Sequence, residues 1–428
     1  MLSQQDADLS ARAFSCCAEC AAGAPDFGSA ELFSNGQPHA VLTRFREAAA
    51  VHRLASAAVG DEFWGVFRAE EAKVVLGDDD VFLSGQGVFP WNGPANPDPL
   101  RGSILIATDG DHRSVVRSAM KDLFTKRRVE TRTTALTEAL ERLVRPRIDA
   151  AAFDFNAEIA WPLALASMAD LLGLDEPQMS EIGDQVAGIL GDTGSEAFTG
   201  TDRESARQAL AKAAGLFSDL MVGQRNAGQN NLIGHLHRAE RAGRISRKDV
   251  LSNLIGVVVG GTVAPRLAFT GLAVLLAREP SWLSRLAAAP ELVSGFVDEA
   301  LRWTAPTTTI GRTAGRDVEL GGRLIRRGDT VRVVLGAVLR DPRCYRDPDA
   351  FDPLRREGTS MAFGFGPHHC LGAVVAKSQL TALLEFFVEN RLRVVLSGQP
   401  TTTRSNTFTG YRSVPVRLLR DGPGPASR

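Results

Sequence analysis

Residues 363–372 read FGFGPHHCLG and surround a single cysteine, Cys370, with residues that bend the backbone. Glycine lets peptide N–H groups approach a neighbouring sulfur, because no Cβ blocks them. The apolar spacing of residues 371–392 is typical of a buried helix. The thiol would then stand just before a helix N-terminus, where the dipole and the unpaired amides favour an anion. The pattern predicts a cysteine that presents its sulfur to a ligand, whereas most lone cysteines are core residues.

The same stretch contains the spacing Phe-x-x-Gly-x-x-x-Cys-x-Gly at Phe363, Gly366, Cys370 and Gly372. On these residues the chain resembles the cytochrome P450 family. The resemblance implies haem b as the cofactor, with Cys370 as the thiolate ligand of its iron. It also implies a mainly helical fold, a triangular prism of helices with a small β region. The haem would lie between a central helix and the cysteine loop.

A second motif lies upstream in DEALRW, where Glu299 and Arg302 are three residues apart and share one helix face. Relatives pair these two residues with a downstream arginine, and FDPLRR offers Arg355 at the matching position. The resemblance therefore implies a buried three-member network that supports the haem loop. Between these motifs, short β-rich runs broken by Gly-Gly and Gly-Asp predict hairpin strands.

Haem propionates need cations, and several basic residues resemble the family's positions. Arg312 and His368 match two of them, and Arg117 keeps the expected distance to Phe124. Relatives carry a histidine or tryptophan four residues before that arginine. Here the position is occupied by Arg113, with His112 one residue away, so either residue could serve.

Residues 249–280 form a long apolar segment that ends at Pro280 and predicts the central helix over the haem. Relatives carry there a small residue, a glycine, a spacer, an acid and a threonine, and the acid and alcohol deliver protons for oxygen activation. Counting back from Pro280 aligns this sequence with Gly260, Gly261, Thr262, Val263 and Ala264. The usual acid–alcohol pair is therefore missing. We expect Pro265 to kink the helix and widen its turn, and Thr262 to substitute as a hydroxyl.

Three mechanisms are compatible with this loss. The substrate can supply a hydroxyl or order a water for oxygen activation, as the resemblance to macrolide-hydroxylating relatives suggests. Alternatively, the reaction is an oxidative coupling or cyclisation that inserts no oxygen. Peroxide-driven chemistry is the least favoured, because relatives that use peroxide carry Arg-Pro over the haem and this chain has Pro265 followed by Arg266.

The resemblance places substrate contacts in four stretches: residues 84–106, the central helix around residues 257–264, residues 307–310 and residues 406–410. The first is rich in proline and glycine, which predicts a mobile lid over an apolar pocket. The candidate contact residues are Phe89, Trp91, Val257, Thr307, Thr309 and Phe408. They suggest a mid-sized, partly polar ligand, although the hydroxyls could simply satisfy loop backbone.

Composition limits the remaining possibilities. No linker or repeat divides the 428 residues, which predicts one domain over 1–428 with a loosely ordered N-terminal extension over 1–45. A net charge of −1 gives no reason to expect nucleic acid or an anionic membrane as partner. Short basic runs such as KRR indicate solvated faces or a docking surface for an acidic redox protein.

The N-terminus is acidic and polar, unlike a signal peptide, and we expect no transmembrane span. A cytoplasmic location follows as an expectation. The five cysteines do not form a disulfide framework, and Cys16, Cys17 and Cys20 lack the fourth ligand of a zinc site.

These observations predict a haem-thiolate monooxygenase that modifies a secondary metabolite, with electrons from a ferredoxin and its reductase. Oxidative coupling without oxygen insertion is the competing enzymatic interpretation. A haem-dependent binding or sensing protein is the non-enzymatic alternative, and the complete cysteine loop argues against it.

Overall fold

The computed structural model describes residues 25–90, 92, 97–190, 203–223, 230–358 and 360–420, with side chains left undescribed at 187–190, 203–207 and 222–223. Trp91 and the cysteines at 16, 17 and 20 lie outside the described residues. The helices are α1 His39–Ala48, α2 Ala69–Gly77, α3 Gly110–Met120, α4 Lys126–Glu130, α5 Thr133–Val144, α6 Trp161–Leu172, α7 Glu176–Leu190, α8 Arg203–Gly223, α9 Leu232–Arg241, α10 Arg247–Arg278, α11 Ser281–Ala288, α12 Val293–Thr304, α13 Leu335–Val338 and α14 Ala373–Glu389. The mainly helical architecture with a small β region is as predicted.

Helix α10, with 32 residues, is the central helix of the fold. It begins with a capping box, in which Ser246 Oγ accepts the Asp249 N–H at 3.1 Å and the Asp249 carboxylate accepts the Ser246 N–H at 2.7 Å. The helix continues without interruption through Pro265, so the predicted widened turn is not present. Proline removes its own N–H bond, but packing of the buried helix against its neighbours holds the remaining turns in place.

The β region consists of small sheets. The strands are β1 Val51–Ser56, β2 Asp61–Val66, β3 Phe82–Leu83, β4 Phe153–Asp154, β5 Thr309–Ala314, β6 Val318–Leu320, β7 Arg323–Ile325, β8 Thr330–Val334, β9 Leu392–Leu396, β10 Thr401–Thr402, β11 Tyr411–Ser413 and β12 Pro415–Arg420. The largest sheet has the order β1-β2-β8-β5-β3, and only β2 and β8 are parallel in it. The others pair β4-β12-β9, β10-β11 and β6-β7.

The predicted hairpin is confirmed at β6 and β7. Val318 pairs with Ile325 and Leu320 with Arg323 in an antiparallel register. The two loop residues, Gly321 and Gly322, have φ values of +56° and +73°. A two-residue turn of this hand needs positive φ at both positions, which glycine adopts without steric cost.

The N-terminal segment differs from the expectation of a loose extension. Phe27, Phe33 and Leu42 are buried, and they pack with residues of β2, β8 and α13. The Arg46 side chain donates to the Ala337 carbonyl at 3.0 Å. Residues 25–45 are therefore an ordered part of the fold, because aromatic side chains in this segment close one face of the large sheet.

One described helix, α10, is long and apolar enough to cross a membrane by length and composition alone. In this structure 61% of its most apolar stretch is buried inside the protein. A second candidate arises only if Asn156–Leu172 and Glu176–Val186, which are bent by 116°, are counted as one span. The core helix of a folded domain passes the same test of length and composition.

Candidate active site

The cysteine loop is a tight turn between Met361 and helix α14. The Cys370 N–H donates to the Phe363 carbonyl at 3.0 Å, and the Gly364 N–H donates to the Met361 carbonyl at 2.9 Å. Gly366 has φ +68°, and a Cβ at this position would lie 2.5 Å from the Leu76 carbonyl oxygen. Only glycine fits there, because the loop packs directly against the end of α2.

The Cys370 thiol is exposed on one side and enclosed by protein on the others. Burial raises its pKa, while the backbone N–H groups of Gly372 and Ala373 and the charge of Arg117 partly oppose that shift. The open side therefore faces a space inside the protein. A thiol in this setting needs a bound cation to ionise at neutral pH, and a metal ion deprotonates a coordinating thiol outright.

One apolar cluster joins the cysteine loop to three of the four predicted substrate stretches. It contains Val263 and Leu267 of α10 and Phe408 of the turn near the C-terminus. Partly buried side chains pack against it from the lid stretch and from beside the cysteine: Phe89, Leu105, Val257, Leu371 and Val375. The sequence stretches assigned to substrate contacts thus meet beside Cys370.

Two arginines are buried close to the cysteine loop. Arg113 is 6% exposed, and its Nε and Nη2 atoms have no hydrogen-bond partner in the described part of the chain. Arg312 is 3% exposed, and burial lowers its pKa to about 10. Arg312 Nη1 donates to the Gly311 carbonyl at 2.8 Å, but the described residues give neither arginine a carboxylate partner in an ion pair. A buried charge without a counter-charge is costly in a folded protein. The two guanidinium groups are therefore placed to receive anionic groups that the chain itself does not supply.

His368 and Arg117 complete this group of basic side chains. His368 Nε2 lies 3.3 Å from Ser84 Oγ and 3.8 Å from the Asp109 carboxylate. Burial, and after it the charges of Arg312, Arg113 and Arg117, lower the His368 pKa to about 3. Arg117 donates to the His369 carbonyl at 3.2 Å and so connects α3 to the cysteine loop.

The choice between His112 and Arg113 follows from the face of α3 on which each lies. His112 is 44% exposed in its side chain and its Nε2 lies 3.0 Å from the Asp249 carboxylate at the start of α10. It links two helices, whereas Arg113 is turned inward beside Arg312. The structure thus separates His112 from the basic cluster, because adjacent helical residues point about 100° apart.

The Glu299, Arg302 and Arg355 side chains form the predicted network. Arg302 donates to both Glu299 carboxylate oxygens at 2.7 Å, and Arg355 Nε lies 3.3 Å from each of them. The Asp352 N–H adds a further bond to Glu299 at 2.9 Å. Arg302 also donates to the Leu339, Pro348 and Ala350 carbonyls, at 2.9, 2.9 and 3.1 Å. The network ties α12 to the loop that precedes the cysteine turn.

Two small residues, Gly260 and Ala264, are among the accessible residues of α10. Gly260 is exposed, Ala264 is partly exposed, and a Cβ at Gly260 would meet no atom within 4 Å. Gly261 instead faces α6, because a Cβ there would lie 2.3 Å from Met168 Sδ. Thr262 is 0% exposed and its hydroxyl donates to the Val258 carbonyl at 2.8 Å. This geometry argues against the prediction that Thr262 supplies a hydroxyl to the site, and Val263 is also buried.

The lid stretch and the turn at 406–410 are fixed to defined neighbours. Asn253 of α10 accepts the Leu105 N–H at 2.8 Å and donates to the Ser103 carbonyl at 2.7 Å. Thr307 and Phe408 form a bridge between the strand entering β5 and the turn. These contacts bring the predicted substrate stretches together around α10.

Thr309, one of the predicted contact residues, is buried on the other face of β5. It is 4% exposed, and strand alternation places it on the face opposite Ile310 and Arg312. Ile310 is partly exposed, and its Cδ1 atom would be 3.6 Å from a Cβ built on Gly364. The parity of Arg312, two residues further on, is the sequence signal that would have identified Ile310.

Asp109 is the residue of this region that the sequence analysis missed. It stands at the N-cap of α3, but its side chain makes no capping bond to that helix. Its carboxylate accepts the N–H groups of Ser84 and Gly85, each at 2.7 Å. The sequence pattern favours a cap at this position and contains no signal for the contact with the lid.

Comparisons with known proteins agree with this geometry. A family model described as "Cytochrome P450" matches residues 285–410. The curated protein "Cytochrome P450 BJ-3" from Bradyrhizobium diazoefficiens is 32% identical over 345 residues, which cover 76% of this chain and 79% of that protein. The chain belongs to the cytochrome P450 family.

Other P450s match over nearly the whole chain. "Cytochrome P450 monooxygenase PikC" from Streptomyces venezuelae is 27% identical over 409 residues, covering 92% of this chain and 94% of PikC. The crystal structure of P450 OxyD, described as involved in the biosynthesis of vancomycin-type antibiotics, has a TM-score of 0.83 and 26% identity. It covers 93% of this chain and 100% of that chain. This P450 is thus an oxidoreductase with haem b as its cofactor.

The residues present fit that cofactor. The P450 presents a thiol whose one open side faces inward, and it buries two arginines that the described protein leaves without anionic partners. An iron centre with two carboxylates satisfies both needs at once. The thiol matches the iron and the two arginines match the carboxylates, and without these partners the buried cations and the enclosed thiol are each unfavourable.

Proposed function

We propose that this P450 is a monooxygenase that modifies a small secondary metabolite, using dioxygen and electrons from a ferredoxin and its ferredoxin reductase. The observation that carries the proposal is the enclosed Cys370 thiol beside an apolar cluster that joins the cysteine loop to the central helix and to the predicted substrate stretches. The names of PikC, a monooxygenase, and OxyD, an antibiotic-biosynthesis P450, support the same reaction class.

In this proposal Cys370 is the iron ligand, and the N–H groups of Gly372 and Ala373 stabilise its negative charge. Phe363 and Gly366 shape the loop around it. Arg312, Arg113, Arg117 and His368 hold the propionates, and His112 supports α3 from outside. When bound, the haem supplies the oxidising chemistry, and the chain's residues position the substrate and exclude water.

Substrate contacts come from Phe89, Val257, Ile310 and Phe408, which offer mostly apolar surface, and from Thr307. Trp91 is part of the predicted lid and stays a prediction. A mid-sized ligand with a largely apolar reacting end suits such a lining. Proton delivery requires another source than α10, because Val263 and Ala264 replace the acid and the alcohol and the Thr262 hydroxyl is bonded to Val258. The substrate itself supplies a hydroxyl or an ordered water.

Oxidative coupling or cyclisation is the second candidate, and the same absence of an acid and an alcohol on α10 favours it. Such a reaction removes hydrogens from the substrate and inserts no oxygen, so it depends less on proton delivery to dioxygen. The rest of the site serves both reactions equally, since Cys370 and the basic cluster hold the same cofactor in each.

The electron donor docks on the side of the cysteine loop. Arg117 contacts the His369 carbonyl there, and Lys121, Lys126 and Arg127 are exposed on the chain that follows α3. A basic surface attracts an acidic partner over long range and raises its association rate. This supports a ferredoxin as donor, and we place the whole single-domain enzyme in the cytoplasm.

The test is a spectral titration of purified ferric protein with fractionated extract from its native host. A fraction that displaces the water ligand and shifts the iron spin state contains the substrate, and turnover with a ferredoxin system follows. A product one oxygen heavier, labelled from isotopic dioxygen, supports monooxygenation. A product that has lost two hydrogens supports coupling. If no fraction that shifts the spin state leads to dioxygen consumption, monooxygenation and coupling are both overturned and a binding or sensing role is favoured. Turnover with peroxide alone would overturn the proposal that a ferredoxin is the electron donor.

A further inference from the structure

One arginine of the large sheet lies in the protein interior without an acceptor for its N–H groups. Arg332, in the middle of β8, is 2% exposed, and its Nε and Nη1 atoms have no hydrogen-bond partner in the described part of the chain. Burial lowers its pKa to about 10, and the charges of Asp61 and Asp26 oppose that shift only in part. The Asp26 carboxylate is bonded instead to the Gly28 and Ala58 N–H groups, at 2.8 and 3.1 Å. A buried guanidinium group in this state needs a counter-charge.

The side chains around Arg332 cover the face of its guanidinium group and supply no oxygen to its edge. The Cζ atom lies 3.8 Å from the centroid of the Phe63 ring. The residues paired with Arg332 on the two neighbouring strands are both glycine, Gly65 in β2 and Gly311 in β5. An aromatic ring attracts a cation through its face, but guanidinium N–H groups lie in their own plane and still need acceptors. A carboxylate is the group that matches such a planar edge.

Arg332 does not belong to the basic cluster beside the cysteine loop. Side chains alternate along a strand, so Val331 and Val333 point to the opposite face of β8. They lie in an apolar cluster against which Phe365 of the cysteine loop packs. Arg312 is paired with Val331 and therefore shares that opposite face. The anionic group that meets Arg332 is for this reason not a carboxylate of the haem.

Two of the predicted substrate stretches reach the face of the sheet on which Arg332 lies. From residues 84–106, the Val88 carbonyl accepts the Gly311 N–H at 2.8 Å, and a Cβ on Gly311 would lie 3.0 Å from that oxygen. From residues 307–310, Thr309 shares the face, and its Oγ1 atom has no hydrogen-bond partner among the described residues. The buried hydroxyl of Thr309 is thus a second polar group on this face that needs a partner.

The turn at residues 406–410 reaches the same face through the N-terminal segment. Asn406 Nδ2 donates to the Gly28 carbonyl at 2.6 Å, and the adjacent Phe27 belongs to the same apolar cluster as Phe63. Phe63 is the ring that Arg332 contacts. Arg332 therefore lies among three of the stretches assigned to the substrate, on the sheet face directed away from the cysteine loop. A ligand group at this position is remote from the reacting end of the substrate.

We propose that Arg332 recognises a carboxylate at the end of the substrate remote from the reaction, so that the substrate is a mid-sized organic acid. The inference rests on the proposed function, because that function places the substrate among these stretches. Thr309 offers the acid a further hydrogen bond on the same face. Binding energy from a remote group positions the reacting end of a substrate without any change to the haem.

A matched pair of probes and three variants test this inference. The probes are decanoate and decan-1-ol, which share one alkyl chain length and differ in charge at one end. Arg332→Met removes the cation, and Arg332→Lys keeps a charge without the planar fork. Arg417→Met is the control, at an exposed arginine of β12. Each ferric holoprotein is titrated by calorimetry, which measures Kd whether or not the iron changes its spin state.

We expect Arg332→Met to weaken decanoate binding by about ten- to a hundredfold, the equivalent of a charge-assisted hydrogen bond, and to leave decan-1-ol binding unchanged. Arg332→Lys should recover part of the loss, and Arg417→Met should bind both probes normally. Equal affinity of the unaltered protein for the two probes overturns the inference, as do equal losses of both probes in Arg332→Met. Acetate binding with the same Kd as decanoate would show that the site takes a free small acid, which overturns the assignment to the substrate.

The stability of the ligand-free protein separates recognition from a structural role. Arg332→Met should unfold at no lower a urea concentration than the unaltered protein, because it loses a buried cation without a counter-charge. A clearly lower midpoint would mean that the guanidinium group has a partner within the chain, and it overturns the inference. The Kd values do not depend on turnover. Failure to consume dioxygen therefore overturns the proposed function alone and is distinguished from failure of this inference.

Discussion

The Arg302 guanidinium and the Glu299 carboxylate are joined by two hydrogen bonds of 2.7 Å inside the protein, with side chains 2% and 3% exposed. This bidentate geometry gives planar recognition as well as attraction between charges. Arg355 and the Asp352 N–H occupy the remaining positions around the same carboxylate. Glu299 is thus the shared acceptor of α12 and of the loop leading to Cys370.

Replacing Glu299 by glutamine should destabilise the protein by about 3–5 kcal/mol, because two buried guanidinium groups lose their counter-charge. The measurement is the free energy of unfolding in urea. Lys377→Gln is the matched control, since its pair with Asp298 at 2.6 Å is about half exposed and should contribute less than about 1 kcal/mol. Similar losses in the two variants would contradict the scaffold role.

Replacing Cys370 by alanine should remove the thiolate-type carbon monoxide spectrum of the reduced protein. Haem binding itself should persist in part, because the basic cluster still receives the propionates. The measurement is the difference spectrum of reduced protein with and without carbon monoxide. Cys344→Ala, at a partly exposed cysteine outside the site, should leave it unchanged. Persistence of the thiolate spectrum in the Cys370 variant would rule out the ligand assignment.

Replacing Ala264 by threonine should change the fraction of consumed dioxygen that appears in product, because it places a hydroxyl on the accessible face of α10. Thr262→Val should leave that fraction unchanged, since the native hydroxyl is buried and bonded to Val258. The measurement is dioxygen consumed per product formed, with the substrate identified by titration. An effect at Thr262 and none at Ala264 would show that the alignment of the central helix is off by two residues.

Replacing Arg312 by leucine should have opposite effects on the haem-free and haem-bound proteins. The haem-free protein gains stability, because a buried cation disappears that has a backbone acceptor but no carboxylate partner among the described residues. Haem affinity falls by about one to two orders of magnitude, the equivalent of a charge-assisted hydrogen bond of about 1.5–3 kcal/mol. Haem transfer to an excess of a scavenging protein measures the affinity. His112→Ala should keep it, and equal losses in the two variants would refute the separation of their roles.

The free energy of unfolding should depend on pH in the acid range because of His39. Burial, followed by the charge of Arg340, lowers its pKa to about 4 from an ordinary value of 6.5. Between pH 6.5 and pH 4, His39 is protonated in the unfolded chain but neutral in the folded chain. The free energy of unfolding therefore falls as pH drops from 6.5 towards 4, and this residue does not change it above pH 6.5. His39→Gln should show a flatter loss across this range in urea unfolding. An identical pH profile would contradict the burial of a neutral imidazole.

The sequence predicted those features that depend on spacing. The cysteine loop and the Glu299 network are recognisable because fixed intervals place their residues on one turn or one helix face. The sequence could not show whether His112 or Arg113 belongs to the basic cluster, because this depends on which face of α3 is buried. Thr309 offers a hydroxyl, but the parity of the strand turns its neighbour Ile310 towards the cysteine loop.

Other differences arose from tertiary packing. Pro265 has a strong local tendency to disrupt a helix, but burial of α10 on several sides outweighs it, and the helix stays regular. Asp109 has the sequence position of a helix cap and instead binds a segment 24 residues earlier. Phe27 and Phe33 gave no periodic signal in a short segment, yet they are buried against the large sheet. Contacts distant in sequence decided each of these cases.

Gly260 and Ala264 carry no group that could donate a proton, and this affects how the enzyme could be inhibited. If the chain supplies no proton donor over the haem, a compound can match the pocket in shape and still fail to react because it lacks the donor group. Such a compound is a competitive blocker, whereas in a P450 with its own acid and alcohol it would be a slow alternative substrate. Removing a single hydroxyl from the true substrate is therefore a route from substrate to inhibitor.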